Sequence, residues 1–351
     1  MPKEIFEGWL LDNGVSLFFV LSGFILTYVY PSLDTRIAVW RFWVARIARI
    51  WPAHIATLGL CYLLLDGDPS RYGIGFDTLA LGLANILLVH AWIPYVESFF
   101  SYNNVSWSIS TEAFFYLAFP ALISNFARTW WIKFGAVCLL SIALVWASIA
   151  IGLKVYTVPD QGLSLTGVLY VNPLARLFEF VLGMGAAWLW RKSHANLHFG
   201  VIAGTLIECA LVLLMLESSY VVRQLGAWAN VKFGFAAAQW LGQGGGMAPS
   251  FAALIFVIAL QKGFVSRILG SRVGVFLGEI SFMIYLTHYV LLRAYIMRIE
   301  SFSTWPGEAL LACYMAILFS LSWMLWQFYE KPMRKYIMKL FDMKLIDQTA
   351  A

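Results

Sequence analysis

Residues 103–116 read NNVSWSISTEAFFY and run without a break into the apolar segment LAFPALI at 117–123. This composition is typical of the end of a membrane helix, where the chain enters the bilayer. On a helix, Ser108, Glu112 and Tyr116 lie four residues apart and share one face. A charged side chain at the centre of a membrane helix costs about 2.5 kcal/mol or more, so Glu112 indicates a functional site within the membrane. The alternative is that Glu112 lies at the interface and hydrogen-bonds to Ser108.

The composition of the whole chain indicates a polytopic membrane protein. Of its 351 residues, 61% are hydrophobic and only 12% are charged, whereas a soluble domain has about 25% charged residues. The net charge is a modest +5. Most basic residues fall in short loops, where they set topology, so we expect no nucleic-acid partner. The four cysteines occur singly within apolar runs, and we expect no metal site and no disulfide.

The apolar runs predict an all-α, polytopic transmembrane helix bundle with about nine spans and one re-entrant or interfacial segment. We expect residues 1–351 to form a single domain. Residues 79–94 are too few to cross a bilayer and form the re-entrant segment. With every strong basic cluster inside, the N-terminus lies outside and the C-terminus inside. The connection 217–249, which contains GQGGG at 242–246, is expected to be a flexible outer loop. The predicted spans are 14–30, 53–65, 108–126, 132–153, 173–190, 200–216, 251–260, 273–297 and 309–328.

The stretch RFWVARIARIWP at 41–52 is the densest basic cluster before the C-terminus. Arg46 and Arg49 are three residues apart and face the same way on a helix. Two guanidinium groups on one face, beside Trp43 and Trp51, could hold phosphates and stack a purine. The alternative is a positive-inside marker that contacts lipid headgroups.

Charged and polar residues also recur on the later spans. Arg176 and Glu179 are three apart and are expected to pair, and His288 lies on the eighth span. A hydroxyl acceptor needs a general base, for which Glu112 or His288 is suited, and acyl transfer needs an oxyanion donor, for which Tyr116 or a serine would serve. A transporter would also use intramembrane Glu, His and Arg, so these residues leave enzyme and transporter open.

Six motifs in chain order resemble those of the acyltransferase-3 family of integral-membrane O-acyltransferases. Each motif alone is weak, but their collinearity over most of the chain is specific. They are GVSLFFVLSGF at 14–24, RF with RIARIWP at 41–42 and 46–52, SWSISTEAFFY at 106–116, RLFEFVLG at 176–183, GEISFMIYLTH at 278–288 and EKP at 330–332.

The resemblance implies transfer of an acyl group, usually acetyl, from acyl-CoA to a carbohydrate hydroxyl. The acceptor would be a surface or extracellular polysaccharide or its precursor, and the enzyme would reside in a bacterial inner membrane. Acyl-CoA would be a co-substrate, with no bound cofactor. Arg41, Arg46 and Arg49 would bind CoA, and Ser108, Glu112, Tyr116 and His288 are the catalytic candidates.

One feature of the family has no counterpart in this sequence. The family's first membrane helix normally carries an Arg and a His proposed as the catalytic base, whereas this chain begins just before what resembles the second helix. Three hypotheses follow: a helix is missing upstream, Glu112 or His288 serves as the base, or the protein is an inactive relative. His54, His90 and His288 are the membrane-associated histidines, but none of them lies where the motif requires one.

Overall fold

The computed structural model describes residues 13–65, 78–155, 162–298 and 306–350. Within these ranges the chain is helical and has no strand, apart from one isolated bridge between Tyr95 and Leu163. The predicted all-α fold is therefore confirmed. The helices are α1 (Gly14–Val29), α2 (Arg36–Leu64), α3 (Thr78–Ile86), α4 (Val96–Phe99), α5 (Trp107–Ile123), α6 (Phe126–Ile151), α7 (Leu177–Ser193), α8 (Val201–Phe233), α9 (Phe235–Trp240), α10 (Ala248–Ala259), α11 (Phe264–Leu269), α12 (Arg272–Met297), α13 (Gly307–Leu325) and α14 (Lys331–Ala350).

Six helical stretches in the described part of the chain are long and apolar enough to cross a membrane. They establish an integral membrane protein. Three further helices, α1, α5 and α7, have 16, 17 and 17 residues, and the count of nine spans stays a prediction. Helix α3 has only 9 residues, or about 14 Å of helix, which is half of the roughly 30 Å hydrocarbon core.

The prediction of a flexible outer loop at 217–249 is wrong, because the segment is helical. Helix α8 continues for 33 residues to Phe233, and α9, a π-helical turn at Leu241–Gly245 and α10 follow it. Together 235–259 form one of the six candidate spans. Unpaired backbone groups are costly in lipid, so a glycine run within a membrane keeps helical hydrogen bonds that it would lose in water.

The chain folds into two compact units whose segments alternate along the sequence. Of the described residues, the first unit comprises 13–34, 92–95, 118–155 and 162–274, and the second comprises 35–65, 78–91, 96–117, 275–298 and 306–350. Helix α5 contributes residues up to Leu117 to the second unit and its remainder to the first. The prediction of a single domain stays a prediction.

In the first unit, α1 and α7 pack with their backbones close together. A Cβ atom on Gly23 would overlap the carbonyl of Phe180, and one on Gly183 would overlap the carbonyl of Val20. Small residues that let membrane helices approach closely are a known basis of their association. Gly23 and Gly183 therefore serve helix packing.

The same unit contains a fully buried arginine, Arg176, with partners on several elements. Arg176 forms an ion pair with Glu179 at 2.9 Å, which confirms the predicted pair. Its guanidinium also donates to Ser16 Oγ at 2.9 Å and to the carbonyl of Gln243. Gln243 belongs to the glycine-rich π-helical turn, so the segment expected to be a loop instead closes around Arg176.

Candidate active site

The predicted polar face of α5 is buried inside the protein. A 3-10 turn at Asn104–Ser106 leads into α5, and the helix period then places Ser108, Glu112 and Tyr116 one above another. Glu112 is only 4% exposed, and it accepts a hydrogen bond from the hydroxyl of Tyr116. Glu112 is thus surrounded by protein and does not lie exposed at an interface.

Ser108 connects α5 to α12 in the second unit. Its Oγ lies 2.9 Å from the hydroxyl of Tyr285. Both hydroxyls also lie within hydrogen-bond distance of the Val105 carbonyl, at 2.9 Å from Ser108 and 3.1 Å from Tyr285. These three contacts share two hydroxyl protons, so the pair can shift a proton between alternative hydrogen bonds without moving a heavy atom.

His288 follows Tyr285 by one helical turn on α12. Its Nδ1 lies 2.5 Å from the carbonyl of Tyr285. A carbonyl only accepts, so Nδ1 carries the proton and Nε2 is the basic nitrogen of the neutral ring. The centres of the Tyr285 and His288 rings are 5.7 Å apart. The hydroxyl of Tyr314 donates to the His288 carbonyl at 2.9 Å.

Helix α2 packs against the other end of this face, at Tyr116. The Arg46 guanidinium carbon is 6.0 Å from the centre of the Tyr116 ring. Trp43 donates its indole N–H to the Tyr116 carbonyl at 3.0 Å, and Phe42 meets the ring edge-on at 6.4 Å. The basic segment and the polar face of α5 therefore meet at one residue.

Arg46 and Arg49 line a pocket of about 290 Å³ in the second unit. Arg49 forms an ion pair with Glu330 inside it. Lys331 lies 3.5 Å from the centre of the Trp326 ring. Four cationic and two acidic side chains leave the pocket with net positive charge. The lining residues are Arg46, Arg49, Lys331, Arg334, Glu279, Glu330 and Trp326.

Three of the predicted donor-site residues lie elsewhere. Arg41 is exposed and pairs at 3.4 Å with Asp342 on α14. Trp43 is engaged with α5, and Trp51 donates to the carbonyl of Ile86 at 3.0 Å. The indole that lines the basic pocket belongs instead to Trp326. The sequence does not predict this residue, because the EKP motif is the only motif identified in that segment.

Contacts and helical spacing together outline a polar row through the second unit, in which Ser108 and Glu112 are related by the helix period alone. It runs from the basic pocket at Arg46 through Tyr116 and Glu112 to Ser108, and from there through Tyr285 to His288. From Tyr116 to Ser108 the row follows two turns of α5, about 12 Å of helix. Sequence reasoning found five of these six residues but gave Tyr285 no role, because its partner is remote in sequence.

Two further histidines are buried together beside the start of α5. The rings of His54 and His90 are stacked 6.0 Å apart. His54 Nε2 donates to the Asn85 carbonyl at 3.0 Å, and His90 Nε2 lies 3.2 Å from Ser106 Oγ. His90 lies in a 3-10 turn outside the candidate spans. Burial is the main cause that lowers the pKa of His90 to about 3, and electrostatic repulsion from His54 lowers it further. The His90 ring is therefore neutral at ordinary pH.

Comparison with known proteins assigns the family. The profile of the acyltransferase domain of the acyltransferase-3 family matches residues 10–326. Acyltransferase MdmB of Streptomyces mycarofaciens is 30% identical over 291 residues, covering 80% of this chain and 67% of MdmB. Peptidoglycan O-acetyltransferase OatA of Listeria monocytogenes is 24% identical over 354 residues, covering 92% of this chain and 51% of OatA. No solved structure matches the chain.

The chain belongs to the acyltransferase-3 family, and so it is an enzyme of the acyltransferase class. It spans about two thirds of MdmB and about half of OatA. The residues of the polar row and of the basic pocket that precede residue 327 all fall within the matched segment.

Proposed function

We propose that this protein is a membrane-bound O-acyltransferase that transfers an acyl group, acetyl in the simplest case, from acyl-CoA to a carbohydrate hydroxyl. The acceptor is a surface or extracellular polysaccharide or its precursor, and the membrane is a bacterial inner membrane. The observation that carries the proposal is the polar row, which joins a net-positive pocket to a buried carboxylate and a hydroxyl pair.

The basic pocket is suited to the donor. Arg46, Arg49, Lys331 and Arg334 offer cationic groups to the phosphates of CoA, and arginine binds phosphate through two parallel hydrogen bonds. The density of Lys and Arg at this end predicts the cytoplasmic side, where acyl-CoA is made. The thioester would then point along the row towards Glu112.

The proposed reaction balances as a simple acyl exchange. Glu112 takes the proton of the acceptor hydroxyl as the hydroxyl oxygen attacks the thioester carbonyl. The carbon–sulfur bond breaks, and CoA leaves as a thiolate that receives the proton. The Ser108 and Tyr285 hydroxyls serve as donors to the oxyanion, since the pair can turn one proton away from the Val105 carbonyl. His288, with Nδ1 fixed, is the alternative base through Nε2.

The test is label transfer from radiolabelled acetyl-CoA in membranes that contain the full chain. Glu112→Gln keeps the size of the side chain and removes the base, so we expect a loss of about 100-fold or more. Glu97→Gln is the matched control, because Glu97 is buried to 3% exposure in the same unit but lies outside the row. Full activity of Glu112→Gln would overturn the role of Glu112. Wild-type membranes that transfer no label would count against the acyl-CoA donor.

A further inference from the structure

A second polar pocket, distinct from the basic pocket, lies within the first unit. It has a volume of about 570 Å³ and is formed where α1, α5 and α7 end and α6 begins. Arg191 and Lys192 supply two cations, and Asp34 supplies one carboxylate. Phe126 and Trp188 also line the pocket.

The cations of this pocket are held by defined contacts. Arg191 donates from Nη1 to the Tyr28 carbonyl at 3.0 Å. Lys192 Nζ lies 4.1 Å from the centre of the Trp188 ring, and Trp188 in turn packs against Trp130 at 5.7 Å. Two tryptophans beside two cations are typical of a membrane interface. We therefore expect the pocket at headgroup level, on the side that the basic residues predict to be cytoplasmic.

An apolar groove of about 630 Å³ continues from this pocket and shares Phe126 and Trp188 with it. The groove follows α6 from Phe126 to Phe134, about 12 Å into the membrane. A Cβ atom on Gly185, in the wall formed by α7, would meet no atom within 4 Å. Close packing does not require this glycine, and its lack of a side chain keeps the groove open.

We propose that the pocket and groove together bind one anionic glycerophospholipid of the cytoplasmic leaflet, of the phosphatidylglycerol type. The phosphate would lie between Arg191 and Lys192, and one acyl chain would fill the groove. Asp34 would repel a bare phosphate monoester but can accept hydrogen bonds from the hydroxyls of a glycerol headgroup. A free anion could occupy the pocket but would leave the apolar groove empty. A zwitterionic lipid carries no net negative charge, so it would balance the charge of Arg191 and Lys192 less well.

Native mass spectrometry of the full chain in detergent tests this proposal directly. Phosphatidylglycerol and phosphatidylcholine with identical acyl chains are titrated as separate probes. We expect phosphatidylglycerol to bind at least tenfold more tightly, and Lys192→Gln and Arg191→Gln each to reduce that preference several-fold. Gly185→Leu should weaken both lipids alike by filling the groove. Lys232→Gln is the matched control, because Lys232 lines a different groove of the same unit.

Equal affinity for the two lipids would overturn the proposal, and so would unchanged preference in both charge variants. Farnesyl phosphate is a third probe, which carries a phosphate monoester and an isoprenoid tail. If it displaces phosphatidylglycerol at equal concentration, the site belongs to an isoprenoid-linked substrate and the proposed occupant is wrong. The readout is lipid mass, so the result does not depend on acyl transfer.

Discussion

The ion pair between Arg49 and Glu330 offers a sharp test of the donor site. Glu330 is buried, with its side chain 1% exposed, whereas Arg49 is 27% exposed and lines the basic pocket. If phosphates of CoA bind Arg49, they must share it with a carboxylate that already occupies it. We therefore compare Arg49→Gln, Glu330→Gln and the double variant.

The magnitudes follow from the burial of each partner. A hydrogen bond between charged groups contributes about 1.5–3 kcal/mol, so Arg49→Gln should weaken CoA binding roughly 10- to 100-fold. Glu330→Gln should strengthen CoA binding, because it removes the competing carboxylate. Two unit charges 4 Å apart interact by about 4 kcal/mol at an effective dielectric constant of 20. The gain in CoA binding free energy must stay well below this limit, because water screens the partly exposed Arg49.

Stability should follow a different pattern from CoA binding. Arg49→Gln removes the ion-pair partner of the buried Glu330 and leaves Lys331 and Arg334 as nearby cations, and loss of one partner of a buried pair costs up to about 3–5 kcal/mol. The double variant removes both charges and should regain most of that thermal stability while still binding CoA weakly. Binding is measured by equilibrium dialysis with labelled CoA, and Arg36→Gln, an exposed arginine at the start of α2, is the control. Wild-type affinity in the double variant would refute the reasoning, because Arg49 would then serve only to neutralise Glu330.

Two further predictions concern the hydroxyl pair and the packing of α1 on α7. Ser108→Ala and Tyr285→Phe should each lower the rate of acetyl transfer by about 100-fold or more, and the double variant should lose little more than the worse single variant, because both act through one contact. Strictly multiplicative losses in the same assay would contradict a shared role. Gly23→Val should lower the thermal unfolding temperature in detergent, since overpacking costs about 1–3 kcal/mol or more. Gly135→Val is its control, because a Cβ there meets open space, and equal losses in both variants would contradict the close packing.

Helical period explains what the sequence could predict about the site. Ser108, Glu112 and Tyr116 share a face because residues four apart always do, and the same rule placed Arg46 beside Arg49. Tyr285 could not be found in this way. Its contact with Ser108 spans 177 residues, and its identity as a partner depends on how α12 packs in the second unit. The stacked pair of His54 and His90 escaped prediction for the same reason.

The glycine run at 242–246 shows why the fold was only partly predictable. In water, such a run favours a loop because glycine gains backbone freedom there. In this protein, a side chain at Gly245 would overlap the Trp240 ring, and one at Gly246 would overlap the Leu241 carbonyl. The glycines are thus needed for close approach within a π-helical turn, whose Gln243 carbonyl then reaches Arg176. Sequence pattern alone does not distinguish these two uses of glycine.

Two arginine–glutamate ion pairs differ in how deeply the arginine is buried, and this difference has consequences for function. Arg176 and Glu179 are both fully buried, and Arg176 has further partners in Ser16 and Gln243, so its guanidinium links α1 to the π-helical turn inside the first unit. Arg49 instead keeps part of its guanidinium in an open, positively charged pocket while Glu330 is buried behind it. Burial of one partner and exposure of the other give a cation that is held in position and remains accessible. That asymmetry, which sequence spacing cannot reveal, is the physical reason to look for the donor phosphates at Arg49 and not at Arg176.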